Sequence, residues 1–125
     1  MNNHVESEAV RKVIQDYIDG TYNADTGKLK RVFHEKAVMN GYIGTDLIIG
    51  DPSPFIEDIA SSASMRSQND PYHAEIESIN IEGSVASVVL SETGFRGEVS
   101  MVDFFHLIKT DEGWFIISKL FTSVQ

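Results

Sequence analysis

The chain has 125 residues, with 19 acidic against 10 basic side chains, a formal charge of −9 and no cysteine. That length buries a core within a single domain, 1–125, without covalent staples, and the acidic balance argues against a phosphate backbone or an anionic membrane surface as partner. The missing cysteine excludes disulfides, thiolate nucleophiles and cysteine-held metals. The opening MNNHVESEAV has neither the basic nor the apolar region of a signal peptide, and no apolar run reaches the roughly 20 residues a membrane span needs, so the expectation is a cytoplasmic protein.

Residues 5–22 carry a helical stripe: Val10, Val13, Ile14, Tyr17 and Ile18 recur at the spacing of one helix face. Asn3 and Glu6 form a capping arrangement ahead of it. A shorter helix follows, capped by Asp25 or Thr26, with Leu29, Val32 and Phe33 as its buried stripe. His34 closes that helix, where a cationic ring suits the dipole. Residues 37–43 read as a short strand, and GTDLIIGDPSP as a loop with one small extended piece. Pro52 and Pro54 ahead of Phe55, Ile56 and Ile59 predict a third helix from near Ser53 to about Ser67.

From Tyr72 onward the period becomes two. Strands are expected at 73–82, 85–95, 99–110 and 114–123, separated by turns holding Gly83, Gly97 and Gly113. Helices first and hairpins later predict an α+β layer with an antiparallel meander. Ile79 and Ile81 share one parity while Ile76 has the other, so a bulge is expected in the first of these strands, and bulges bend sheets. In the last two strands both parities are apolar: Trp114, Ile116 and Leu120 alternate with Phe115, Ile117 and Phe121, and Val102, Phe104 and Ile108 with Phe105 and Leu107. One face packs on the helices; the other calls for a second copy of the chain, as a homodimer.

Two stretches resemble a known family. YIDGTYNADTGKLKRVFHEKAV, with Tyr17, Gly20, Asp25, Leu29, Phe33 and His34, and VDFFHLIKTDEGWFIISKLF, with Asp103, Phe105, Lys109, Gly113, Trp114 and Lys119, resemble the opening and the last hairpin of the putative lumazine-binding family. That family lies in the nuclear-transport-factor-2-like (polyketide cyclase-like) superfamily. The resemblance spans roughly residues 8–122. It implies a cone-shaped, cystatin-like fold, with three N-terminal helices on a strongly bent antiparallel sheet and a cavity between them. The superfamily holds isomerase-, dehydratase- and cyclase-like enzymes beside proteins that only bind, so the fold leaves the function open.

Asp103 shares a strand face with Phe105 and Leu107, and a carboxylate on an apolar face is costly unless paired. Lys119, directly opposite or one diagonal step away, is its expected partner. The pair is either a ligand anchor, with Asp103 as a general base, or a structural ion pair at the sheet's end. Tyr17, Tyr42, Phe55, Phe105 and Phe121 are expected to line the cavity, where tyrosines suit a flat ligand. His106 falls on the opposite, outer face, and His73 opens its strand facing solvent. No H-E-x-x-H spacing occurs; His73, Glu75 and Asp103 form the one conceivable cluster, and neither metal nor other cofactor is expected.

The sequence thus points to a small-molecule-binding protein of unassigned ligand. Its alternatives are a cofactor-independent isomerase, dehydratase or cyclase using Asp103 as base and Tyr17 or Tyr42 as donor, and a dimeric protein-interaction scaffold.

Overall fold

The N-terminal stripe folds as α1, Asn3–Asn23, with Val10, Ile14 and Tyr17 fully buried. The computed structural model describes residues 3–124, and of Asn3 only the backbone, so the cap expected from its side chain lies outside the described residues. Glu6 is engaged elsewhere: its carboxylate takes hydrogen bonds from Lys109 Nζ at 2.9 and 3.0 Å and from Trp114 Nε1 at 3.2 Å. It thereby ties the first turn of the helix to the last hairpin of the sheet. The short α2, Thr26–Val32, is capped by the Asp25 side chain, which accepts from the Lys28 N–H at 3.1 Å. A third helix, α3, runs Ser53–Ser61.

Helix α3 stops short of the expected Ser67. Beyond it the serines bond one another: Ser64 Oγ accepts from the Ser67 N–H, and Ser67 Oγ donates to the Ser64 carbonyl. Such local bonds compete with helix continuation. Met65 is buried there, and the Arg66 N–H reaches the Tyr22 carbonyl, so the segment is pinned to the end of α1.

One sheet holds six strands, two of them ahead of α3 in the chain: β1 (Phe33–Ile43), β2 (Asp46–Gly50), β3 (His73–Glu82), β4 (Val85–Phe95), β5 (Val99–Thr110) and β6 (Gly113–Val124). Their spatial order is β2-β1-β6-β5-β4-β3. The last four form the expected meander, with bounds within one residue of those read from the alternation. Gly83, at φ 54°, supplies the left-handed backbone the β3–β4 turn needs. The small extended piece expected in GTDLIIGDPSP is β2.

Two features correct the expectation. First, β1 begins at Phe33, because its N-terminal end pairs with Ile116 of β6. His34 therefore lies in a strand, its Nδ1 accepting from the Lys36 N–H at 3.0 Å and its ring edge-on to Phe115. Second, β1 runs parallel to β6, so the sheet is mixed rather than wholly antiparallel. The two strands touch closely at Gly41, where a Cβ would lie 2.0 Å from the Phe121 carbonyl oxygen. Only glycine fits there.

Register shifts bend the meander. Ile76 pairs with Leu90 but Ser78 with Val89, which leaves Glu77 as the extra residue of β3. This is the bulge expected from the parity of its isoleucines. A second shift falls in β6, where Ser118 pairs with His106 and Ile116 with Leu107, leaving Ile117 extra. A third separates the Glu92–Met101 and Phe95–Val99 pairs. The β6 bulge explains the doubly apolar strand: before it Trp114 and Ile116 point inward, after it Lys119 and Phe121 do.

The Glu6 contacts generate a stability prediction. Removing that carboxylate orphans a buried indole N–H, which costs about 1–3 kcal/mol. Urea denaturation of Glu6→Ala is expected to show that loss, with Glu6→Gln recovering part of it.

Candidate functional site

Four elements converge on one hollow. Helix α1 contributes Tyr17, α3 contributes Phe55, β1 contributes Met39, and β6 contributes Lys119 and Phe121. With Glu92, Phe95 and Met101 they enclose a cavity of about 340 Å³, within the range of small-molecule sites. A wider groove of about 570 Å³ crosses the far end of the sheet between Asn80 and Ile117. It has no buried ionisable side chain, so the chemistry of the molecule concentrates in the smaller hollow.

Lys119 is the centre of that chemistry. It is 3 % exposed, yet its ammonium has no carboxylate oxygen within 4.0 Å among the described residues. It donates instead to the Tyr17 hydroxyl at 2.6 Å. Three rings surround it, with centroids 4.4 Å (Phe55), 5.0 Å (Tyr17) and 5.2 Å (Phe121) from Nζ. Ring faces are the negative ends of their quadrupoles, so they stabilise the cation without quenching it. Tyr17 is itself held by Phe55, Phe33 and Phe105.

Behind the lysine sit two buried acids. Asp103 is wholly buried in β5 and Glu92 nearly so in β4. Tyr72 donates its hydroxyl to Glu92 Oε2 at 2.5 Å. Among the described residues, both Asp103 oxygens and Glu92 Oε1 meet no ordinary donor. The two carboxyl groups are within hydrogen-bonding reach of each other, and one proton held between them would engage two of these three oxygens. Burial is the main force holding the Asp103 carboxyl well above the usual carboxylate range; the Lys119 charge pulls it down, and Glu92 pushes it up again. The Tyr17 hydroxyl is raised well above its ordinary value, by burial first and then by Asp103 and Glu92. With one proton on the acid pair, its single negative charge balances the ammonium.

The residues singled out in the sequence divide into three groups. Tyr17, Phe55, Lys119 and Phe121 line the hollow. Asp103 and Phe105 stand behind it: Asp103 pairs with Phe121, and Lys119 pairs with Phe105, which places Lys119 one diagonal step from Asp103. The two lie in mid-sheet rather than at its end, and form no direct ion pair. Tyr42 is a correction. It is 47 % exposed on the outer side of β1, because Met39, Gly41 and Ile43 hold the inward parity. His73 and Glu75 are exposed and 3.4 Å apart, away from the buried Asp103. Among the described residues no group of three or more acidic or histidine side chains is arranged to hold a metal ion.

Glu92 and Tyr72 were not singled out. Glu92 sits in the polar run Ser91-Glu92-Thr93, which reads as a solvent-facing strand end. Its parity with Ala86, Val88 and Leu90, all buried, was the available signal.

The fold recurs in solved structures. A nuclear-transport-factor-2-like protein of unknown function from Shewanella baltica OS155 matches with a TM-score of 0.87 at 23% identity, over 100% of this chain and 98% of that one. One from Silicibacter pomeroyi DSS-3 matches with a TM-score of 0.87 at 20% identity, over 99% and 100%. A putative dehydratase of the same fold from Streptomyces avermitilis matches with a TM-score of 0.68 at 14% identity, over 99% of each chain. Others of the group are described by a cystatin-like fold. Among curated proteins none matches this chain. The sequence model of the putative lumazine-binding family matches residues 5–122, and with the helices, bent sheet and hollow in agreement, the chain belongs to that family.

Proposed function

We propose that the protein binds a small, flat, mostly apolar molecule bearing a hydrogen-bond acceptor, in the hollow between α1, α3 and the sheet. The observation that carries this reading is a buried ammonium that faces an aromatic-lined cavity instead of a carboxylate. An ammonium has three N–H donors, and Tyr17 takes one. A ligand oxygen would accept another while its plane lies against Phe55 or Phe121. Lumazine, named in the family's description, is a flat bicyclic heterocycle with carbonyl oxygens and is a first compound to try.

The hollow can be tested by native mass spectrometry of freshly purified protein and by calorimetric titration with lumazine and related heterocycles. Binding is expected to weaken about 10- to 100-fold in Lys119→Met, the worth of a hydrogen bond to a charged group. Equal affinity in wild type and variant would overturn the anchoring role of Lys119.

The partner we propose is a second copy of the chain on the outer sheet face. Phe104 and Leu120 are directly paired there, 45 % and 53 % exposed, with Val38 also exposed on that face. The described helices all lie on the other side, so nothing else in the fold is placed to cover these residues. Light scattering is expected to give two subunits for the wild type and one for Phe104→Glu/Leu120→Glu. A wild-type monomer at micromolar concentration would remove this partner.

The alternative reading, proton-transfer chemistry with Asp103 as base, needs an ionised Asp103 in contact with the ligand. Asp103 instead lies behind the lining, and burial holds its carboxyl well above the usual carboxylate range. Its ordinary value is 3.8 and the folded value is higher. Above pH 4 the folded chain therefore binds more protons than the unfolded one, and this group's contribution to stability is lost as pH rises toward the folded value. The urea midpoint of the wild type is expected to fall more steeply between pH 4 and 8 than that of Asp103→Asn. Identical slopes would mean that Asp103 is ionised in the fold and would restore it as a base.

A further inference from the structure

Lys119 is held in a manner that a counter-ion role alone does not require. A lysine serving only to neutralise buried acids would close on a carboxylate. Here three buried ionisable groups sit together, yet both Asp103 oxygens and Glu92 Oε1 lack an ordinary donor, and Nζ has no carboxylate within 4.0 Å among the described residues. The nitrogen is turned to the hollow, on a central strand, between three rings that fix its position. The carboxyl pair nearby can accept a proton and return it. Nucleophile, proton acceptor and water-poor cavity are the parts that amine–carbonyl condensation needs.

We propose that Lys119 captures the carbonyl group of a flat aldehyde or ketone as a protonated imine. This rests on the reading of the hollow as a ligand site, and it names the ligand's reactive group. The charge balance of the site suits the step. One ammonium proton passes through a relaying water molecule to the carboxyl pair, which lies beyond 4.0 Å of Nζ, and the freed amine forms a C–N bond at the carbonyl carbon; the same relay serves the return. A proton moves from nitrogen to the former carbonyl oxygen, giving a hydroxyl. The carboxyl pair returns its proton to that hydroxyl, which leaves as water while the nitrogen lone pair forms C=N. Overall, ammonium and carbonyl become iminium and water. One positive charge is buried before and after, offset each time by the singly protonated carboxyl pair, and in between both are neutral. An imine in a drier site is also shielded from the water that would hydrolyse it.

The experiment uses benzaldehyde as probe, with sodium cyanoborohydride to reduce any imine to a stable amine, followed by intact mass measurement and peptide mapping. The internal standard is the protein itself, whose other lysines are Lys12, Lys28, Lys30, Lys36 and Lys109. At limiting probe, Lys119 is expected to be labelled about tenfold or more over any of them, as a preorganised amine beside a bound carbonyl should be. Lys119→Arg keeps the charge and is expected to lose that adduct alone. Benzamide, which has a similar shape and a carbonyl too deactivated to form an imine, reports occupancy of the hollow by ligand-observed NMR. Benzamide binding without selective labelling of Lys119 overturns the imine and leaves the binding reading standing. Neither binding nor labelling overturns both.

Discussion

A cation held out of water among aromatic rings is the constraint around which the interior is arranged. An ion the size of an ammonium costs several kcal/mol to bury in a protein unless its charge is answered. For Lys119 the answer has three parts at different distances: a hydroxyl at 2.6 Å, ring faces at 4.4 to 5.2 Å, and a carboxyl pair beyond direct contact. Each needs a separate element. Tyr17 must be on the buried stripe of α1, Phe55 must be delivered by α3, and the acids must lie on adjacent inner strands. Loss of the acid pair would leave the charge unanswered; loss of the lysine would leave two carboxyls and one proton in an apolar core.

The elements were legible because most of the chain keeps one period at a time. The α1 stripe and the four long strands follow from spacing of 3.6 and 2, and their turns are marked by glycine. The misread segment was 33–36, where a helical stripe runs straight into a strand with no punctuation. Phe33 satisfies both patterns: it continues the Leu29–Val32 stripe, yet its backbone pairs with Ile116. Pairing with a strand more than eighty residues away leaves no local trace. The same reason hides the parallel contact between β1 and β6.

The site was legible in part, and for the same physical reason. Asp103, Lys119, Tyr17, Phe55 and Phe121 carry polarity or aromaticity onto faces whose parity the neighbouring apolar residues reveal. Tyr42 failed because its strand has glycine at the inward position, so the bulky neighbour looked like the inward one. Glu92 failed because a buried acid is recognisable only once the group that shares its proton is known. That group, Asp103, comes from another strand through the Leu90 pairing. Long-range partners, rather than local propensity, account for these misses.

The extra residue at position 117 has a consequence for how such a chain can vary. Removing Ile117 would only close the irregularity: Ile116 and Ser118 already face Leu107 and His106, so Lys119 and Phe121 would keep their inward side. Retaining Ile117 in regular pairing, opposite His106, would instead set the lysine opposite Phe104 on the outer face and Leu120 opposite Asp103 on the inner one. A cavity with two acids and no cation would result, on a backbone of almost unchanged outline. One unpaired residue therefore governs the electrical character of the interior, independently of which side chains are retained.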